Sequence, residues 1–306
     1  MTSSGDAVGC LAICPTPIGN LQDVTLRVLV ALAEADVVAC EDTRHTKVLL
    51  ERHGLAAQLV SFHEHNERAR TPELVERIHA GQRVALVSDA GTPLVSDPGF
   101  ALMQACLRAG LAVEVLPGPS AVVTALVASG LPAGRWLFVG FLPRKRAELA
   151  DLLLHNRETL VAFESPRRLG TTLRLLAERD PSRPAAVCRE LTKRHEEVRR
   201  GSAVELAAHY GHGASSGQSA GGLRGKAPEP GAQARAITPA PATTRGEVVL
   251  VLGAASPQRA DHDQAIAAVR ELVAAGARAR SAAKSVARLT GVGANELYRE
   301  LTSGEQ

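Results

Sequence analysis

At 306 residues, with 45% hydrophobic and 22% charged residues, the chain is long enough for two domains and too apolar to be disordered throughout. A net charge of +3 from 35 basic and 32 acidic residues gives by itself little electrostatic reason to expect a nucleic acid, and 3% aromatic residues disfavours a base-stacking platform. No apolar run approaches the roughly 18 residues of a membrane span, and the N-terminus lacks a basic region followed by an apolar one, so a cytoplasmic, membrane-free protein is expected.

Short apolar runs alternate with amphipathic stretches from the start. Strands are predicted at 9–14, 37–40, 84–87 and 113–116, and helices at 25–35, 43–53 and 98–109. Thr71, Pro72 and Glu73 read as the N-cap, first proline and first-turn acid of another helix, which Gly81 ends. Such alternation implies parallel strands joined by crossover helices, because a tight turn cannot close a parallel pair. The five cysteines, Cys10, Cys14, Cys40, Cys106 and Cys188, are dispersed through apolar runs and read as buried, reduced thiols.

A turn-rich break at 130–134 separates this half from a second alternating set, with strands at 137–139, 159–163, 185–189 and 248–252 and helices near 146–156, 167–179 and 203–210. The domain expectation is therefore 1–131, 132–254 and a helical tail over 255–306. Residues 211–245 are rich in Gly, Ala, Ser, Pro and Thr and keep no apolar period, which favours a tolerated surface insertion over a lid. In the tail, Arg278, Arg280, Lys284 and Arg288 cluster without an intervening acid, and 285–299 has a helix-turn-helix outline about Gly291 and Gly293. A solvated basic face and a nucleic-acid contact both fit it.

Ligands of open parallel sheets collect at the carboxyl ends of strands, so the residues after each strand carry the chemistry. These are Pro15 to Asn20, Glu41 to Arg44, Asp89 to Pro93 and Pro117 to Ala121. Glycine and proline there allow close backbone approach and rigid turns, which suits a nucleoside, although such residues also merely punctuate α/β loops. No G-x-G-x-x-G opens the first helix and no phosphate-binding G-x4-G-K-[ST] occurs. Glu41, Asp42 and Arg44 fit an acidic helix start with a local ion pair as well as a functional set. His63 and His65 lack a third ligand at helical spacing, so no metal site is expected. In the second half, Arg144, Lys145 and Arg146, then Arg167 and Arg168, then Arg189 to Arg194 follow strands, and would form a basic rim.

Seven ordered motifs resemble the tetrapyrrole methylase superfamily and, within it, the small-subunit ribosomal RNA methyltransferase I family, which methylates a cytidine 2′-oxygen. They are Thr16-Pro17-Ile18-Gly19-Asn20-Leu21, Cys40-Glu41-Asp42-Thr43-Arg44, Ser88 to Pro93 with Ser96-Asp97-Pro98-Gly99, Leu116 to Ala121, Gly140-Phe141-Leu142-Pro143, Glu164-Ser165-Pro166 and Arg189-Glu190-Leu191-Thr192-Lys193. The resemblance runs from about Leu11 to Leu252 and extends into the tail; the insertion at 211–245 departs from it. It implies two α/β domains with S-adenosylmethionine in the cleft between them, a C-terminal helical extension and a homodimer. It also implies cofactor contacts from Pro17, from Asp89, Ala90, Gly91, Thr92 and Pro93 with Val95, from Ser120 and Ala121, and from backbone near Ser165 and Leu191.

A ribose hydroxyl attacks poorly until it is deprotonated or strongly hydrogen-bonded. Asp42 or Lys193 is expected to orient or deprotonate it, with Arg44 steering the phosphate. Arg144, Lys145, Arg146, Arg167 and Arg168 are expected to grip 16S ribosomal RNA within the small subunit, the tail assisting. Two rivals stand beside this reading: a carbon methyltransferase acting on a tetrapyrrole, and a non-catalytic RNA-binding or assembly protein on the same fold.

Overall fold

The computed structural model describes residues 9–211, 245–255 and 259–303. The insertion expected over 211–245 lies, apart from its two end residues, outside the described residues, as does the N-terminal segment. By chain contacts, residues 1–254 form one compact unit and 255–306 another.

The first sheet is parallel throughout, in the order β3 (Leu59–Ser61), β2 (Val37–Cys40), β4 (Arg83–Val87), β1 (Cys10–Ile13), β5 (Ala112–Val115). Period-two alternation sends β1 side chains to two cores. Leu11 and Ile13 join Leu74, Ile78, Leu102 and Cys106 of α3 (Glu67–His79) and α4 (Phe100–Arg108). Ala12 and Cys14 join Val28 and Leu32 of α1 (Leu26–Ala33) and Leu49 and Leu50 of α2 (Thr43–Arg52). Helices on both faces explain why these strands read as unbroken apolar runs. Burial pushes the Cys14 thiol up to about 12, that of an inert reduced cysteine.

α3 begins earlier than Thr71 and Pro72 predict. Asn66 accepts the His63 amide at 2.8 Å and holds the Ser61 carbonyl at 3.1 Å, turning the chain into helix at Glu67. Thr71 therefore hydrogen-bonds the Glu67 carbonyl from within the helix, and Pro72 sits inside it. Three elements carry no clear sequence period: β3, the charged edge strand β9 (Glu197–Ser202) and α5 (Ala121–Ser129). Ser120 caps α5, whose Val122, Ala125 and Leu126 are buried against the second sheet, not the first.

That second sheet has the order β6 (Trp136–Phe141), β7 (Thr159–Glu164), β10 (Val248–Leu252), β8 (Pro184–Arg189), β9, and it is mixed rather than parallel. The reason is local. β6, β7 and β8 are joined through α6 (Arg146–His155) and α7 (Pro166–Arg179) and run one way; β9 and β10 are joined through α8 (Ala203–Tyr210) and run the other. Among the described residues, the reversal is made by the helix-free connection Glu190 to Glu196. Leu160, Ala162, Val187 and Leu250 face α6, α7 and α8, while Val161, Ala186, Cys188 and Val249 face α5.

The C-terminal unit consists of α9 (Arg259–Ala274), α10 (Ala279–Thr290) and α11 (Ala294–Ser303) around Ile266, Val269, Ala283, Val286 and Leu297, with the expected helix-turn-helix over α10 and α11. Among the described residues, no helix is long and apolar enough to cross a membrane.

Arg183 is fully buried and donates Nε to the Gly253 carbonyl at 2.7 Å and Nη1 to the Leu153 carbonyl. It closes the far end of the second sheet. Arg183→Leu leaves two buried acceptors without donors and is expected to cost about 2–4 kcal/mol. Urea unfolding checks this; a loss within error of zero would show that the guanidinium is dispensable.

Candidate active site

The loops after β1 and β4, adjacent strands, are sewn together. Thr16 and Gly91 exchange backbone hydrogen bonds of 2.8 and 2.9 Å, and the buried Thr16 hydroxyl donates to the Ser88 carbonyl at 2.9 Å. Gly91 has φ +84°, a left-handed value that glycine adopts without strain. On the other side, Thr92 Oγ1 reaches the Pro119 carbonyl at 3.1 Å, tying in the loop that leads to Ser120.

From Thr16 the chain runs under the second half of the molecule. Ile18 is buried with α5 and Leu191, and the Asn20 amide donates to Thr192 Oγ1 at 3.0 Å. Gly19 lies so close that a Cβ there would stand 2.4 Å from Lys193 Cγ and 3.1 Å from the Leu191 carbonyl oxygen. Between these loops lies a cleft of about 250 Å³ lined by Thr16, Pro17, His45, Asp89, Lys193 and Glu247 among others. Among the described residues, left-handed backbone outside glycine occurs in the loops after β4 and β8. Leu94 and Ser96 have φ +72° and +67°, and Glu190 and Thr192 +51° and +65°, each costing of order 1–2 kcal/mol.

The structure brings Pro17, Asp89, Ala90 and Lys193 to this cleft. Gly91, Thr92 and Pro93 form the loop behind it, and Val95 is exposed beyond them. Ser120 is the N-cap of α5 and Ala121 its first residue. Ser165 is set apart: its amide donates to the Glu164 carboxylate at 2.7 Å and its carbonyl starts α7 through Arg168 and Leu169, so both polar backbone groups are engaged. Leu191 is buried on α5.

Asp42 is the N-cap of α2, accepting the Arg44 amide at 2.8 Å, and Arg44 grips it with Nε at 3.0 Å and Nη2 at 2.6 Å. The Arg44 hydrogen bonds hold the Asp42 carboxyl well below the usual carboxylate range, making it a weak proton acceptor. Lys193 Nζ lies 3.0 Å from both Glu190 and Glu247. Burial disfavours its charge, but Glu247 and Glu190 outweigh that and raise its pKa, so it stays an ammonium. Asp42 is thus a fixed anion and Lys193 a fixed hydrogen-bond donor.

Two further carboxylates, Glu41 and Asp97, are shifted in the opposite sense. Burial, then repulsion from Glu41 and Asp89, pushes Asp97 up to about 6, the Ser88 hydroxyl partly offsetting it. Burial and Asp89 likewise raise Glu41. Asp97 lies in Ser96-Asp97-Pro98-Gly99, ahead of α4 rather than directly after a strand, so its place in the sequence carries no signal of a role. Glu247 precedes β10, and only the antiparallel course of that strand brings it beside Lys193. Of the expected RNA contacts, Arg144 and Arg167 are exposed and make no ion pair among the described residues, while Lys145 and Arg146 pair with Glu148 and Glu178 at 2.8 and 3.0 Å. Arg168 is committed to the fold, donating to the Leu142 and Pro143 carbonyls. Among the described residues, no group of three or more His, Cys, Asp or Glu side chains is placed to hold a metal.

Residues 11–207 match the family model of tetrapyrrole (corrin/porphyrin) methylases. The chain is 43% identical to ribosomal RNA small subunit methyltransferase I of Mesorhizobium japonicum, over 96% of this chain and 94% of that protein. It belongs to the ribosomal RNA small subunit methyltransferase I family. The same enzyme of Mycobacterium bovis is also 43% identical, over 95% of this chain and 93% of the relative. Among solved structures, this family member resembles uroporphyrin-III-C-methyltransferase from Thermus thermophilus, with a TM-score of 0.53, 25% identity and coverage of 80% of this chain and 94% of that one. A cobalt precorrin-4 methyltransferase, at 18% identity and TM-score 0.55 over 80% of this chain and 94% of that one, shares the fold. The two α/β sheets followed by helices are those of a tetrapyrrole methylase with a C-terminal extension.

Asp97 gives the site a pH signature. Its pKa is raised in the folded state, so its stability contribution is full below the ordinary 3.8 and is lost as pH rises through about 6. Asp97→Asn is expected to stabilise the protein at pH 7.5 by about 1–2 kcal/mol, discounted for partial solvent screening, and to change little below pH 4. Urea unfolding at both pH values checks this; a net loss at pH 7.5 would refute it.

Proposed function

We propose that this protein transfers a methyl group from S-adenosylmethionine to the ribose 2′-oxygen of a cytidine in small-subunit ribosomal RNA, in the cytoplasm and as a homodimer. The observation that carries the reading is the 43% identity to enzymes of that name over nearly the entire chain. The cleft suits such a cofactor chemically. Thr16 and Pro17 give it a buried wall, Ile18 and Leu49 apolar surface, and Asp89 and Glu247 acceptors for an amino acid's ammonium. Held there, S-adenosylmethionine would supply an electrophilic methyl on a sulfonium: the oxygen–carbon bond would form as the carbon–sulfur bond breaks, the sulfur leaving as a neutral thioether and the hydroxyl proton passing to solvent.

The chain's own task is then mostly positioning. Lys193, fixed between two carboxylates, donates to and orients the ribose hydroxyl. Asp42 holds Arg44 at the start of α2, where its exposed guanidinium meets the substrate phosphate. Arg144, Lys145, Arg146 and Arg167 supply the cationic rim that RNA crosses, Arg168 holding their loops in place. Leu26 and Val30, exposed on α1 beside a shallow hollow, support a second copy as partner.

The test is incubation with methyl-labelled S-adenosylmethionine and, separately, small ribosomal subunits, naked 16S RNA and a tetrapyrrole precursor. Label is expected in RNA, on a ribose. Lys193→Ala and Asp42→Asn should each slow single-turnover transfer by roughly 100-fold. Label in the tetrapyrrole would install the carbon-methyltransferase rival, label in neither the non-catalytic one, and unchanged single-turnover rates would remove both residues from the mechanism.

A further inference from the structure

α10 bears the clearest unneutralised charge among the described residues. Arg280, Lys284 and Arg288 recur every fourth residue, so they line one face at steps of about 6 Å along the axis. All three are exposed, with exposed Arg278 just ahead of the helix and Ser281 and Ser285 exposed on the adjoining row. The opposite face, Ala282, Ala283 and Val286, is buried in the unit's core. α10 contains no acid, and among the described residues none of these four cations forms an ion pair. Glu296 and Glu300 of α11 pair with His262 of α9. Tyr298 lies under the Arg280 guanidinium at 5.3 Å and steadies it.

We propose that this face of α10 is a phosphate-backbone contact for helical RNA, a second cationic surface besides the rim of the α/β unit. The proposal rests on the RNA reading above and adds to it the surface and the mode of recognition. The chemistry favours backbone over bases. Arginine, lysine and serine are donors to phosphate oxygens, and the one aromatic ring beside them is already covered by Arg280. A-form RNA also has a major groove too narrow for side chains to read, so a helix laid on it meets phosphates and 2′-hydroxyls. The surface should therefore contribute affinity and salt dependence with little sequence preference.

The test compares the full-length protein with Arg280→Gln/Lys284→Gln/Arg288→Gln, following binding to a short fluorescent duplex RNA by anisotropy from 50 to 200 mM salt. Loss of three phosphate contacts should shrink the slope of log affinity against log salt by roughly 2–3, so wild type loses roughly 16- to 64-fold more affinity than the variant across that range. Arg280→Lys/Arg288→Lys, which keeps the charge, should retain the wild-type slope. An unchanged slope in the glutamine variant, or the same loss in the lysine variant, overturns the proposal. Binding is read without methyl transfer, which keeps the two readings separable. A slope loss in a protein that methylates no RNA supports this contact while defeating the catalytic reading; methylation of RNA with an unchanged slope does the reverse.

Discussion

The site depends on one short stretch of backbone, Thr16 to Asn20. At its start, two hydrogen bonds to Gly91 and one hydroxyl contact to Ser88 lock the loop after β1 to the loop after β4. At its end, Ile18 enters the core under the second sheet and Asn20 hydrogen-bonds Thr192. Five residues thus couple the carboxyl edge of a parallel sheet to the reversing loop of a mixed one. At Gly19 the two approach so closely that a side chain there would collide with Lys193.

From that coupling the electrostatics follow. The reversing loop presents Lys193 to the cleft with Glu190 from its own turn and Glu247 from the start of β10, so the cation is fixed in place and in charge. Across the cleft, Asp89 accepts the Asp42 amide at 3.0 Å and repels Glu41 and Asp97. Carboxylates crowded at strand ends cost stability, and so do four non-glycine residues with left-handed backbone. Such costs collect where function and not packing chooses the residue.

Much of this was legible in the sequence, for identifiable reasons. Buried strands such as Val37–Cys40 and Val248–Leu252 are apolar on both faces and bounded by polar turns, so their limits coincide with prediction. The loops after β1, β2, β4 and β5 could be placed because a parallel sheet puts all carboxyl ends on one edge. α5 escaped notice because Ala121–Ser129 is apolar nearly all round, having neighbours on more than one side, and so shows no helical period. β9 escaped because its stability comes from pairing with β8 and from partners such as Arg189 and Tyr210 on Glu197, not from its own pattern. Glu247 was illegible because strand direction in a mixed sheet is a tertiary property. Arg168 shows the converse limit: a basic residue beside a basic rim, yet held by the carbonyls of Leu142 and Pro143.

Whether the contact between Thr16–Asn20 and the reversing loop forms the cofactor site can be measured by titration calorimetry of S-adenosylmethionine into wild type and Gly19→Val. The added side chain must displace Lys193 or the Leu191 carbonyl while the buried cores of both sheets stay untouched. Affinity should fall about tenfold or more, a loss of roughly 1.4 kcal/mol, with the circular dichroism spectrum retained. Equal affinity in a folded variant would place the cofactor elsewhere.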